Sequence, residues 1–281
     1  MFRTLISTHE LEVRLADPAL VILDVRHDLA DPDTWGREQY DHGHIPGALF
    51  VHLDHDLSAR TTGRNGRHPL PSREDAALVF ARLGVDERKQ VVAYDQDSGT
   101  YAARCWWMLR WLGHEAVAVL DGGMRRWVAE GRVLEAEPNV AAPAQFTPRP
   151  PLQASIAIET LLQDPAHRRV LVDARAPERF RGDVEPIDAR AGHIPGAINR
   201  PYARNLGPQG TFRAPDELRG ELLQLLGDRA PADVVHHCGS GVSACHNVLA
   251  FEHAGLSGSL LYAGSWSEWS ADPARPVARG E

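Results

Sequence analysis

A chain of 281 residues is longer than an ordinary single domain and has room for two, each of about 100–150 residues with its own core. With 43% hydrophobic residues, 24% charged residues and a net charge of −8, it reads as an ordinary globular protein and a poor binder of nucleic acid. The start M-F-R-T-L-I-S-T-H-E-L-E lacks an apolar run of signal-peptide length, and no later segment approaches 18 uninterrupted apolar residues, so the cytoplasm is the expected location, with no membrane partner.

Taken in chain order, the first strong pattern is the strand V-I-L-D-V-R at 21–26, followed by the loop G-H-I-P-G-A at 43–48. Next come V-V-A-Y-D at 91–95, a helical run A-A-R-C-W-W-M-L-R-W-L, a second apolar run A-V-A-V-L, and D-G-G-M-R-R-W at 121–127. A strand, helix, strand series of this kind predicts a parallel sheet with helices on both faces, an α/β fold. Trp106, Trp107, Trp111 and Trp127 fall in the helical runs and are expected in a core or at a domain interface.

Residues 133–153 carry Pro138, Pro143, Pro148, Pro150 and Pro151 with little periodicity, which reads as a stiff extended linker. Beyond it the pattern returns. V-L-V-D-A-R stands at 170–175 and G-H-I-P-G-A at 192–197, each 149 positions after its first copy (21 to 170, 43 to 192). V-V-H-H-C at 234–238 parallels V-V-A-Y-D, and A-G-S-W-S-E-W at 263–269 parallels D-G-G-M-R-R-W. The chain is therefore read as one domain duplicated, with an N-terminal copy over 1–145 and a C-terminal copy over 146–281.

The chemistry concentrates at the end of V-V-H-H-C. Ligands of open α/β sheets bind at the carboxyl ends of strands, where Cys238 falls. The loop after it, Gly239, Ser240, Gly241, Val242 and Ser243, offers converging backbone N–H groups, and a helix beginning near Ser243 adds the positive end of its dipole. Such an anion cradle favours a thiolate and would equally hold a persulfide; the competing reading is a free cysteine buried in a core. Cys105 and Cys245 have no such loop and are expected to pack. Three cysteines make no disulfide framework in a chain this long.

Two other cysteine chemistries fit poorly. A cysteine phosphatase needs an arginine six positions after the nucleophile to grip phosphate, and Ala244 stands there. A metal site draws on His236, His237, Cys238, Cys245, His246 and His253. Yet adjacent strand histidines face opposite ways and no C-x-x-C or H-x-x-x-H pair occurs, so no metal is expected. Arg26, Arg175, His44 and His193 recur in both copies and read as fold elements, the arginines as ion-pair partners of Asp24 and Asp173 or of the G-H-I-P-G-A segments.

The paired G-H-I-P-G-A motifs, the D-V-R and D-A-R strand ends and the loop C-G-S-G-V-S-A resemble the tandem rhodanese-type sulfurtransferases over nearly the whole chain. Within that family the loop is similar to that of the 3-mercaptopyruvate sulfurtransferases, whereas thiosulfate sulfurtransferases tend to carry a basic C-R-K-G-V-T loop; Ser243 in place of threonine is a minor departure. The resemblance implies two rhodanese-like domains, the first inactive with Asp95 at the cysteine position, and an active site between the two built on Cys238. It further implies a relay of Ser240 with His68 in R-H-P-L-P and Asp54 in H-L-D-H-D, and an arginine for the substrate carboxylate at Arg179 in E-R-F-R-G. A second arginine common after an E-P pair is missing, since the chain reads E-P-I at 185–187; Arg181 or Arg190 compensates, or thiosulfate is the preferred donor.

The implied activity is transfer of sulfur from 3-mercaptopyruvate, through a Cys238 persulfide, to cyanide or a thiol, thioredoxin among the candidates. The step needs no activated water, so no cofactor is expected. The alternatives are a thiosulfate sulfurtransferase on the same cysteine and a non-catalytic binding module, which labelling Cys238 with a thiol reagent would discriminate.

Overall fold

The computed structural model describes residues 1–163 and 168–280. They form two compact units, each made of pieces from both halves of the sequence. The first comprises Met1–Ala59, Pro71–Leu152 and Pro208–Phe212. The second comprises Arg60–Leu70 and the described residues of 153–207 and from 213 onward.

In the first unit the strands are β1 (Leu5–Ile6), β2 (Leu20–Asp24), β3 (Ala48–Phe50), β4 (Gln90–Tyr94) and β5 (Val117–Leu120). Its helices are α1 (Thr8–Glu12), α2 (Trp35–His42), α3 (Leu53–Asp56), α4 (Arg73–Arg82), α5 (Thr100–Trp111) and α6 (Gly123–Ala129). In the second the strands are β6 (Ala154–Ser155), β7 (Val170–Asp173), β8 (Ile198–Asn199), β9 (Val234–His237) and β10 (Leu260–Leu261). Its α-helices are α7 (Ile158–Leu162), α8 (Pro177–Arg181), α9 (Pro215–Leu226), α10 (Ser243–His253) and α11 (Ser265–Ala271).

All pairings between these strands are parallel, and the orders β1-β5-β4-β2-β3 and β6-β10-β9-β7-β8 are the same, so the repeat in the sequence is a repeat in topology. Parallel strands are covered on both faces and read as unbroken apolar runs. V-V-A-Y of β4 is accordingly buried throughout, as are both histidines of β9. Ile22, Val92, Leu120 and Trp127 anchor one core; Phe180, Val235, Tyr262 and Trp266 anchor the other. Trp106 and Trp107, on α5, are also fully buried.

The duplicated polar residues fasten each fold. Arg26 Nη2 reaches Asp24 at 2.6 Å and the Gly43 carbonyl at 2.8 Å; Arg175 Nη2 reaches Asp173 at 2.7 Å and the Gly192 carbonyl at 2.8 Å. His44 Nδ1 lies 2.8 Å from the Tyr40 carbonyl while its ring stacks on Tyr40, and His193 repeats both contacts with Phe180. A buried Arg–Asp pair survives because each charge is hydrogen-bonded on several sides.

The Pro-rich segment is strapped to the first unit: the N–H groups of Ala144, Arg149 and Leu152 donate to the carbonyls of Ala81, Leu112 and Arg110. Among the described residues no helix is long and apolar enough to cross a membrane.

Candidate active site

In each sheet the chain runs outward from one strand and returns to a neighbour leading the other way. The switch falls between β7 and β9 in the second unit, and the crevice at the carboxyl ends of such strands is where α/β sheets take ligands. Cys238 follows β9 there directly.

Its surroundings are fixed from three directions. The Cys238 N–H donates to Ser265 Oγ at 3.1 Å, and Ser265 Oγ donates to the Tyr262 carbonyl at 2.9 Å. The Cys238 carbonyl accepts from Trp266 N–H, and that of Gly239 from Ser267 N–H. The loop then turns back so that the Gly241 N–H donates to Cys238 Sγ at 3.2 Å. Gly241 has φ +76°, and a Cβ there would lie 2.3 Å from the Ala263 carbonyl oxygen, so only glycine makes this turn. Val242 precedes α10, which starts at Ser243 and points its N-terminus at the loop. This packing leaves Cys238 2% exposed.

Ser240 is buried at the loop apex, and its Oγ lies 2.7 Å from His68 Nδ1. His68 belongs to the Arg60–Leu70 piece of the second unit, so two of the three relay residues expected from the sequence meet. Asp54 stands on α3 of the first unit.

Arg179, in the middle of α8, gives Nη2 to Glu185 at 2.7 Å and to Asp188 at 3.1 Å. The two carboxylates form a buried acidic shelf. Burial raises Asp188 above the usual carboxylate range, only partly offset by the Arg67 charge. Burial also raises Glu185, but hydrogen bonds from the Asp188 backbone and Arg179 outweigh it and hold Glu185 below that range.

The candidates for a compensating arginine are committed elsewhere. Arg190 ties down the C-terminal segment through the carbonyls of Ser270, Asp272 and Arg275, and Arg181 forms a surface pair with Asp183. Cys245 is buried, its Sγ donating to the Gly241 carbonyl at 3.3 Å, and burial pushes the Cys105 thiol well above the usual range.

Two residues at the loop escape a reading of the sequence. Ser265 sits at φ +56°, unusual for a residue with a side chain; the hint was that A-G-S-W replaces D-G-G-M, a serine where the first copy has glycine. Arg67 presents its Nη2 2.9 Å from where a Cβ on Gly239 would lie; its only signal was adjacency to His68.

The chain matches the rhodanese-like domain twice, over residues 7–130 and 157–272, and it belongs to the rhodanese family. It is 45% identical over 282 residues to a probable 3-mercaptopyruvate sulfurtransferase of Pseudomonas aeruginosa, with 99% of this chain and 98% of that protein covered. It is 42% identical to a putative thiosulfate sulfurtransferase of Mycobacterium tuberculosis over 99% and 98% of the two chains. Among solved structures it superposes on an Escherichia coli protein described as a 3-mercaptopyruvate sulfotransferase, with TM-score 0.81, 30% identity, and 94% and 99% of the two chains covered. The chain is thus an enzyme of the sulfurtransferase class.

Proposed function

We propose that the protein moves a sulfur atom from 3-mercaptopyruvate to a thiophilic acceptor, with Cys238 as the nucleophile. The observation that carries this reading is the loop itself: a backbone N–H aimed at Cys238 Sγ, at the start of a helix, with the Ser240–His68 pair beside it. Small-molecule sulfur compounds are the substrate class that follows from the relatives.

The Cys238 thiolate attacks the donor sulfur, the carbon–sulfur bond breaks, and its electron pair leaves on pyruvate as the enolate. A proton returns to the enolate carbon, with the Ser240 hydroxyl, His68 and Asp54 as the proposed delivery route. Cys238 then carries a persulfide whose outer sulfur is held by the loop N–H groups of Gly239 through Ser243. Cyanide or a thiol attacks that outer sulfur, the S–S bond breaks, and the Cys238 thiolate is regenerated. Arg179 holds the donor carboxylate.

The second reading is thiosulfate as donor; the uncharged Ile187 where the resemblance sets an arginine favours it. The test is the kcat/KM ratio for the two donors with cyanide as acceptor, beside Cys238→Ser as a blank. A ratio well above one with an inert variant supports the mercaptopyruvate reading, and a ratio below one replaces it with thiosulfate. Turnover by Cys238→Ser would remove the cysteine from the reaction. Failure with both donors in a protein whose Cys238 resists thiol reagents would leave a binding module.

A further inference from the structure

Two guanidinium groups converge on the residue after the proposed nucleophile. A Cβ built on Gly239 would meet Arg67 Nη2 at 2.9 Å, Arg179 Nη1 at 3.6 Å and Arg179 Nη2 at 3.8 Å. The absence of a side chain at 239 leaves the space into which both arginines reach.

Each arginine divides its nitrogens in the same way. Arg67 pairs through Nη1 with Asp188, and Arg179 through Nη2 with Glu185 and Asp188. No acceptor among the described residues takes Arg67 Nη2 or Arg179 Nη1. Arg179 Nε is also buried without a partner. The two carboxylates are only 4% and 3% exposed, whereas Arg67 and Arg179 are 30% and 18% exposed, so the acids are fixed beneath and the guanidinium groups face the approach to the loop. Two fork nitrogens from neighbouring arginines match the oxygens of a carboxylate or a sulfur oxyanion.

We propose that Arg67 is a donor-binding residue, closing with Arg179 a two-arginine clamp on the donor's anionic group over Gly239. The proposal rests on the sulfurtransferase reading of Cys238 given above. Arg67 thereby supplies the second cation that Ile187 does not. Asp188 pairs with both guanidinium groups and orients them. Arg67 also fastens its own segment, its N–H donating to Ser267 Oγ at 3.1 Å, so the test has to separate binding from support.

Arg67→Gln, in the full-length enzyme, is expected to raise KM for 3-mercaptopyruvate and for thiosulfate by roughly 10- to 100-fold, with kcat within about threefold. Discharge of a preformed persulfide by uncharged dithiothreitol is expected to proceed at the wild-type rate, which a disordered loop would not allow. Asp188→Asn, which frees the clamp from its internal carboxylate, is expected to lower both KM values by about two- to fivefold. An unchanged KM in Arg67→Gln overturns the proposal, as does a loss confined to kcat or shared by persulfide discharge. If Arg67→Gln does not fold, Asp188→Asn decides: a KM that stays level or rises overturns the clamp. Wild-type enzyme that forms no persulfide from either donor sinks the underlying reading instead, independently of the variants.

Discussion

The loops after β4 and β9 occupy the same place in two copies of one fold, and they hold different groups. In the first unit the Asp95 side chain fills the cradle: Oδ1 accepts from the N–H groups of Asp97 and Gly99, and Oδ2 from those of Tyr101 and Ala102. In the second unit the cradle is turned to Cys238 Sγ, with Gly241 N–H on it. The following turn is matched as well, Met124 N–H donating to the Asp95 carbonyl as Trp266 N–H does to that of Cys238. The comparison teaches that the loop is an anion receptor by backbone design. The copy that fills its cradle with its own side-chain carboxyl is sealed, and the other copy presents a sulfur in the same place.

The most severe way to test that equivalence is to move the seal. Cys238→Asp should abolish sulfur transfer, by 10⁴-fold or more on the order expected for loss of a covalent nucleophile, while urea unfolding stays within about 1 kcal/mol of wild type because the new carboxylate finds the same N–H groups. A large loss of stability would mean that the two cradles differ. The converse change, Asp95→Ala, strips four N–H groups, two of them buried, of their acceptor and should cost roughly 4 kcal/mol in the first unit, read as a fall in its melting temperature.

At the sulfur side of the comparison, Ser240→Ala and His68→Gln should each lower kcat about 10²-fold with little change in KM. Their double variant should be no worse than the poorer single one, because the two act through one hydrogen bond; additive losses would separate them. The smallest effect concerns the strands themselves, Val-Ala-Tyr in β4 against Val-His-His in β9. His236 has both ring nitrogens buried without a partner among the described residues, and burial, with Arg200 and His237 adding to it, pushes its imidazole down to about 3. Its folded value lies below the unfolded one of about 6.5, so its contribution is fully present above pH 6.5 and is lost as pH falls toward 3. Between pH 7 and pH 5 the loss should be roughly 2 kcal/mol. His236→Leu should flatten that part of the stability profile, and an unchanged slope would assign the acid sensitivity to another group.

Much of this was legible in the residues. The repeat of V-I-L-D-V-R and G-H-I-P-G-A encodes the two sheets because buried parallel strands and their tight turns constrain nearly every position. The loop C-G-S-G-V-S encodes itself locally: the strand end, the left-handed Gly241 and the start of α10 lie within ten residues. Arg67 was not legible, since it reaches the loop from a segment of T-T-G-R-N-G-R-H with no periodicity, its neighbour His68 meeting Ser240 across 172 positions. Nor was the fate of Arg190, whose carbonyl partners depend on how the last residues fold back.

The Arg60–Leu70 segment has a consequence for anyone who would divide this protein. Its residues are encoded in the first repeat but are folded into the second unit, and 208–212 make the opposite exchange. Cutting the gene at the proline-rich stretch would therefore yield two fragments, each missing a strip of its own body. The downstream fragment would carry the cysteine yet leave Arg67 and His68 behind on the other piece. After duplication, the two copies have become a single unit of inheritance: neither can be lost, swapped or expressed alone without taking part of its twin.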